Sequence, residues 1–167
     1  MKLKNYIKEP LTLIASVIIC NLAGIIGGFF TETGPGSWYA EELVKPWFIP
    51  PSIAFPIVWI TLYTLMGISL YLLLAEGFNR QKVRAAVSVF AIQLILNVLW
   101  SVLFFGMKSP LFGMIGIIFL WIFILQTIIV SYDINKKAAY LLMPYIAWVS
   151  FAAYINAAIL MINPVIV

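Results

Sequence analysis

Polar residues along this chain are bunched, and apolar residues run on between the bunches. Five stretches, Leu11–Phe30, Ser52–Leu74, Val83–Phe105, Leu111–Tyr132 and Ala138–Met161, contain no Asp, Glu or Lys and a single Arg, Arg84, beside a helix start. Each approaches or exceeds the ~20 residues that an α-helix needs to cross ~30 Å of hydrocarbon. None alternates with the two-residue period of a barrel strand with one face in lipid. The pattern predicts an all-α integral membrane protein, a single domain over residues 1–167 built as a five-transmembrane-helix bundle. The first connector, Thr31–Pro51, has 21 residues. The others, Ala75–Lys82, Gly106–Pro110 and Asp133–Lys137, are short enough to impose antiparallel neighbours.

Composition sharpens this reading. The chain is 64% hydrophobic and 10% charged, against ~45–50% and ~25% in soluble domains. A soluble enzyme and a disordered chain are excluded. The pI of 9.2 arises from ten Lys/Arg against six Asp/Glu, and these cations flank the apolar runs. They report topology, and no nucleic-acid partner is expected. Lys2, Lys4, Lys8, Arg80, Lys82, Arg84, Lys136 and Lys137 fall on one side, and only Lys45 and Lys108 on the other. Eight against two predicts a cytoplasmic N-terminus, with the first loop and the C-terminus extracytoplasmic.

The chain has no histidine and one cysteine, which removes disulfide frameworks, Cys/His metal sites, Ser-His-Asp triads and imidazole-ligated haem. Cys20 reads as a packing thiol, because Ile19 stands where a lipoprotein signal needs a small residue. The first span is too long for a secretory h-region of ~7–15 residues, and no A-x-A site comes after it. No ionisable side chain lies at membrane depth, which argues against a proton-coupled pump.

The interior carries aromatic rings and amides instead. Phe55, Trp59, Tyr63 and Met66 share one face of the second span; Gln93, Asn97, Trp100 and Phe104 share one of the third; Tyr145, Trp148, Ala152, Ile155 and Asn156 form a stripe on the fifth. Amides at depth must point inward, since an unpartnered amide in lipid costs several kcal/mol. They can serve a ligand or join helices, and spacing leaves both readings open. Trp59 and Trp148 lie too deep for an interfacial belt, and aromatic faces with a few donors suit a flat apolar ligand. Gly24-xxx-Gly28, after Asn21, and Gly113 with Gly116 mark close helix contacts, within the chain or between two copies. The segment Gly34–Pro51 predicts an ordered lid: Ser37 caps a short helix, Pro46, Pro50 and Pro51 stiffen the stretch after it, Trp38 and Trp47 bury over the bundle mouth, and Glu41, Glu42 and Lys45 stay in water.

Several motifs occur in order: Trp38-Tyr39; Leu43-x-Lys45-Pro46-x-x-x-Pro50-Pro51; Phe55-x-x-x-Trp59; Tyr63-x-x-Met66-Gly67; Asn97-x-x-Trp100-Ser101-x-x-Phe104-Phe105; and Pro144-Tyr145-x-x-Trp148-x-x-Phe151-Ala152-x-x-x-Asn156. Together they resemble the TspO/MBR family, the tryptophan-rich sensory and translocator proteins that include the peripheral-type benzodiazepine receptor. The resemblance covers essentially the whole chain. It implies a receptor- or transporter-like protein, often a homodimer, that binds porphyrins and related flat apolar ligands under the first loop. No cofactor is implied; the porphyrin is the ligand. Carried over by motif, the ligand-binding residues are Tyr39, Pro50, Phe55, Trp59, Tyr63, Asn97, Trp100, Trp148 and Ala152, with Trp59 and Asn97 as polar contacts. Two alternatives stand beside this. One is a light- and oxygen-dependent porphyrin-degrading enzyme, in which Trp59 and Trp148 would be the active indoles. The other is a structural membrane subunit. The Tyr…Arg cholesterol pattern that ends the fifth helix of animal members has no counterpart in Asn156–Asn163, and a bacterial cell membrane is the expected home.

Overall fold

The computed structural model describes residues 3–163, with side chains from Pro10 onward; the side chains of Lys2, Lys4 and Lys8 lie outside that set. Seven α-helices are present among the described residues: α1 (Leu3–Gly28), α2 (Trp38–Glu41), α3 (Ala54–Ala75), α4 (Gln81–Ser101), α5 (Pro110–Tyr132), α6 (Lys136–Leu141) and α7 (Met143–Ile162). They make five apolar spans: Pro10–Gly28, Ala54–Ala75, Gln81–Gly106, Pro110–Tyr132 and Lys136–Ile162. This is an integral membrane protein, and each expected span lies in its predicted place.

Two spans are less regular than the sequence pattern predicts. The fifth is not one helix. Pro144 has no N–H to donate and its ring crowds the preceding turn, so the chain breaks at Leu142 and restarts as α7. The third ends in a π-helical turn, Val102–Gly106, where Met107 N–H donates to the Val102 carbonyl at 2.8 Å. Such turns occur often at functional sites.

Around the bundle, α1 packs on α3 and α4, α4 on α5, and α5 on α6 and α7. Glycine sets the α1–α3 crossing: a Cβ on Gly67 would stand 2.4 Å from Val17 Cα. Ser69 Oγ donates to the Ala138 carbonyl at 2.8 Å, holding α6 on α3. Asn135, the N-cap of α6, donates to Glu76 at 2.9 Å. One buried cluster fills the centre around Cys20, Tyr63, Met66, Phe90, Ile124 and Tyr145. A second, of Trp38, Leu43, Phe104, Ile155 and Ile159, seats the first loop on the end of the bundle. Helices α3 and α7 stay apart along much of their length, and that separation makes the cleft.

Candidate ligand cleft

The α3 and α7 faces predicted from spacing do converge. Trp59 stacks on Tyr63, with ring centroids 5.4 Å apart and planes 27° from parallel, and meets Tyr145 of α7 edge-on at 6.3 Å. Phe55 meets Trp148 edge-on at 5.9 Å, and Trp148 lies 5.8 Å from Phe151. Behind this layer is a polar relay: Tyr63 OH donates to Asn97 Oδ1, and Asn97 Nδ2 donates to Tyr145 OH at 3.0 Å. Both tyrosines and Asn97 are buried, so three helices meet at one amide. Each buried polar group in the relay has a partner, as a low-dielectric interior demands.

A cavity of about 550 Å³ opens sideways between α3 and α7, lined by Ile57, Val58, Thr61, Leu62 and Leu65 on one wall and Pro144, Ala147, Trp148 and Phe151 on the other. Its size lies within the ~300–1,000 Å³ of small-molecule sites. Its walls hold no ionisable side chain, so binding there rests on apolar area and ring contact.

The expected site residues divide into two groups. Phe55, Trp59, Tyr63, Asn97 and Trp148 come together through ring contacts and hydrogen bonds, but only Trp148 of these lines the cavity, and Ala152, half-buried, packs against the central cluster. Tyr39 and Trp100 both pack on Phe104 and Phe105 beneath the loop, Tyr39 at 6.4 and 5.5 Å and Trp100 at 5.6 and 5.9 Å, and Trp100 also packs against the central cluster, bridging the two. Pro50 is half-buried in the loop. Asn97 is a joint between helices, with both its amide groups engaged by tyrosines. Asn156 is another: its Nδ2 donates to the Pro110 carbonyl at 2.8 Å. Gln93 is buried with neither amide atom hydrogen-bonded.

The loop is ordered, and one of its two expected anchors is corrected. Ser37 caps α2 by accepting from Ala40 N–H at 3.2 Å, and Trp38 is buried against Phe104 at 5.9 Å. Trp47 is 94% exposed. Its neighbours Pro46 and Phe48 face the protein, and Phe48 stacks on Tyr154 at 5.0 Å; Trp47 and Phe48 are the central pair of a turn closed by Ile49 N–H on the Pro46 carbonyl at 3.3 Å, which leaves Trp47 outside. Trp47 fits an interfacial belt. Lys45, expected in water, folds back instead: Nζ donates to the Tyr39 and Ala40 carbonyls at 2.8 and 3.2 Å and lies 4.7 Å from the Tyr39 ring centre. Burial raises the Tyr39 phenol above its ordinary pKa.

The pattern predicts the stripe carrying Tyr145 but not its place as the second phenol of the relay. Val58, Leu62, Pro144 and Phe151 carry no signal beyond apolarity. Asn163 is a further omission: its amide brackets the Val44 backbone, and only its position just past a helix end, where Asn is favoured, hints at a role.

Five apolar spans long enough to cross a membrane, around an aromatic, uncharged interior and capped by an ordered loop, define a helical membrane protein with a lateral cleft. The TspO/MBR family profile matches residues 16–162, and the chain belongs to that family. It is 46% identical over 157 residues to the tryptophan-rich protein TspO of Chlorobaculum tepidum, covering 94% of this chain and 99% of that one. It is 43% identical to the protein of the same name in Archaeoglobus fulgidus, over 92% of this chain and 97% of that one. The bovine translocator protein is 32% identical, over 86% of this chain and 85% of its own.

Proposed function

We propose that this protein is a membrane receptor of transporter-like type that binds porphyrins, protoporphyrin IX among them, in the cleft between α3 and α7. The observation that carries the reading is the ring array on one side of that cleft: Trp148 lines it, Phe55 and Phe151 flank Trp148, and Trp59 lies behind on Tyr63. A flat macrocycle gains ring contact there and ~25 cal/mol for each Å² of apolar surface removed from water. The lateral opening supports entry from the bilayer, where such a ligand dissolves. The described cations Arg80, Lys82, Arg84, Lys136 and Lys137 support a cytoplasmic placement for the end opposite the first loop.

Titration with protoporphyrin IX tests this. Tryptophan fluorescence should quench to a plateau in the native protein and lose the saturable component in Trp59→Phe/Trp148→Phe. Linear quenching, or a plateau unchanged in the double variant, would refute the assignment. A second reading, porphyrin degradation, draws support from the contiguous oxidisable rings of Trp59, Tyr63 and Tyr145. Illumination in air separates the two: turnover requires porphyrin absorbance to fall faster in the complex than in detergent alone.

A further inference from the structure

A second cavity, of about 190 Å³, lies at the loop end of the bundle, between the end of α1, α2 and the π-helical turn. It shares no residue with the α3–α7 cleft. At that volume it is too small for a tetrapyrrole, since drug-sized ligands occupy ~300–1,000 Å³. Its lining is chemically divided. Phe29, Phe30 and Trp38 supply rings, while Glu32 and Lys108 supply opposite charges.

Neither charge is used within the protein. Among the described residues the one ion pair is Arg80 with Glu76, and the hydrogen bonds of Glu32 and Lys108 are backbone ones. Two opposite charges line one small cavity more than an ion-pair distance apart, so a ligand carrying both signs can bridge them. The backbone fixes where Lys108 stands. Lys108 has φ +53, the one positive φ outside glycine among the described residues. That conformation is unfavourable for any residue with a Cβ and natural for glycine. Here it closes the end of the helix: Ser109 N–H donates to the Phe104 carbonyl at 3.2 Å and Lys108 N–H to the Phe105 carbonyl at 3.3 Å, so the lysine stands at a helix-capping position where glycine is usual.

The surroundings indicate where the ligand comes from. Phe29 is 77% exposed, and Leu22 and Ile25 continue its exposed apolar face down α1 into the membrane-spanning region. A molecule with its polar end in the cavity can therefore lay its chains along α1. We propose that this cavity binds the headgroup of a zwitterionic phospholipid, with Lys108 on the phosphate and Glu32 on the ammonium. Trp38 and Phe30 supply ring faces for the cation.

Native mass spectrometry of the detergent-solubilised full chain tests the site, with phosphatidylethanolamine, phosphatidylglycerol and diacylglycerol as probes. The protein should retain one phosphatidylethanolamine in preference to either of the others. Lys108→Gly and Glu32→Gln should each weaken retention about tenfold, the scale of one charge-assisted hydrogen bond. Lys108→Gly should unfold at the same temperature as the parent or higher, because glycine relieves the strain, so lost retention cannot be put down to misfolding. Both variants should keep protoporphyrin quenching, which reads the other cleft. Unchanged retention in the variants would overturn the proposal, as would phosphatidylglycerol binding equally well. Displacement by soluble phosphoethanolamine at lipid-like concentrations would also overturn it, moving the source from the bilayer to water.

Discussion

Asn163 and Val44, 119 residues apart, are paired through every hydrogen-bonding group that Val44 has: Val44 N–H donates to Asn163 Oδ1 at 2.9 Å, and Asn163 Nδ2 donates to the Val44 carbonyl at 2.9 Å. The same Nδ2 also donates to the Ile159 carbonyl at 2.8 Å, which fixes the amide on the end of α7. The last helix thereby holds the first loop by its backbone, where loop side-chain identity matters little. Asn163→Ala should free the Gly34–Pro51 segment while leaving the five spans folded. Two hydrogen bonds at ~0.5–1.5 kcal/mol each set the scale, so protease cleavage in the loop should accelerate between about fivefold and about a hundredfold. Unchanged cleavage would leave the loop held by its apolar contacts alone.

Those contacts make a separate prediction. Phe48→Ala removes the stack on Tyr154 and should loosen the loop by ~0.5–1.5 kcal/mol beyond the area lost. Trp47→Ala removes a ring that covers nothing but Phe48, met edge-on at 5.8 Å, and should leave loop proteolysis unchanged. Trp47→Ala should instead change partitioning into bilayers, measured by reconstitution yield. Equal loosening by both substitutions would return Trp47 to the lid.

How much of this was legible in the sequence depends on which force acts at each place. Hydrocarbon thickness dictates helix length, so the spans could be read off the apolar runs, and the 3.6-residue repeat put Phe55, Trp59 and Tyr63 on one face. Ser37 was legible as a cap because capping is local chemistry. Periodicity gives a face but not the neighbour that the face meets. Asn97 could be placed inward, yet whether it met tyrosines or a ligand depended on helices more than thirty residues away. Trp100 shared a motif with Asn97 yet also reaches Phe104 and Phe105 under the loop, where Tyr39 packs too. Side-chain direction in the proline-rich stretch depends on docking, which is why Phe48 rather than Trp47 turned inward. Pro144 was visible; that it would break the span, where membrane helices often absorb a proline, was not.

The relay makes Asn97 a stability residue first. Asn97→Leu leaves the Tyr63 and Tyr145 hydroxyls unpartnered in a buried site, at ~1–3 kcal/mol each. Thermal unfolding in detergent should drop well before porphyrin affinity is compared. Tyr63→Phe together with Asn97→Leu should recover part of the loss, because one orphaned hydroxyl is removed with its partner. If Asn97→Leu unfolds at the parent temperature but binds porphyrin weakly, the amide is a ligand contact as the family resemblance implied.

Gly24 and Gly28 separate packing within the chain from packing between chains. A Cβ on Gly24 would fall 2.3 Å from the Tyr63 ring, whereas one on Gly28 meets nothing within 4 Å. Gly24→Ala should displace Tyr63 from Trp59 and Asn97, costing ~1–3 kcal/mol and weakening protoporphyrin quenching. Gly28→Ala should be neutral in the monomer. Crosslinking in dilute detergent then reads association directly: a loss of dimer in Gly28→Ala alone would show that the open glycine serves a second copy.

Gln93 supplies the sharpest contrast with Asn97, one helical turn away on the same stripe. It is 1% exposed, and neither its Oε1 nor its Nε2 has a hydrogen-bond partner in the protein. An amide in that position costs ~1–3 kcal/mol. Leucine fills a similar volume without polar atoms and removes the penalty. Gln93→Leu should therefore raise the unfolding temperature in detergent, while Asn97→Leu lowers it. The cleft lining does not include Gln93, so protoporphyrin quenching should be unaffected. The opposite result has a definite meaning as well. A fall in stability on removing this amide would show that it is hydrogen-bonded by something from outside the chain, and buried water is the smallest species that satisfies both a donor and an acceptor at once. A nuclear Overhauser contact between the Gln93 side-chain amide and water would then appear in the parent protein, and an amide with no partner should show none.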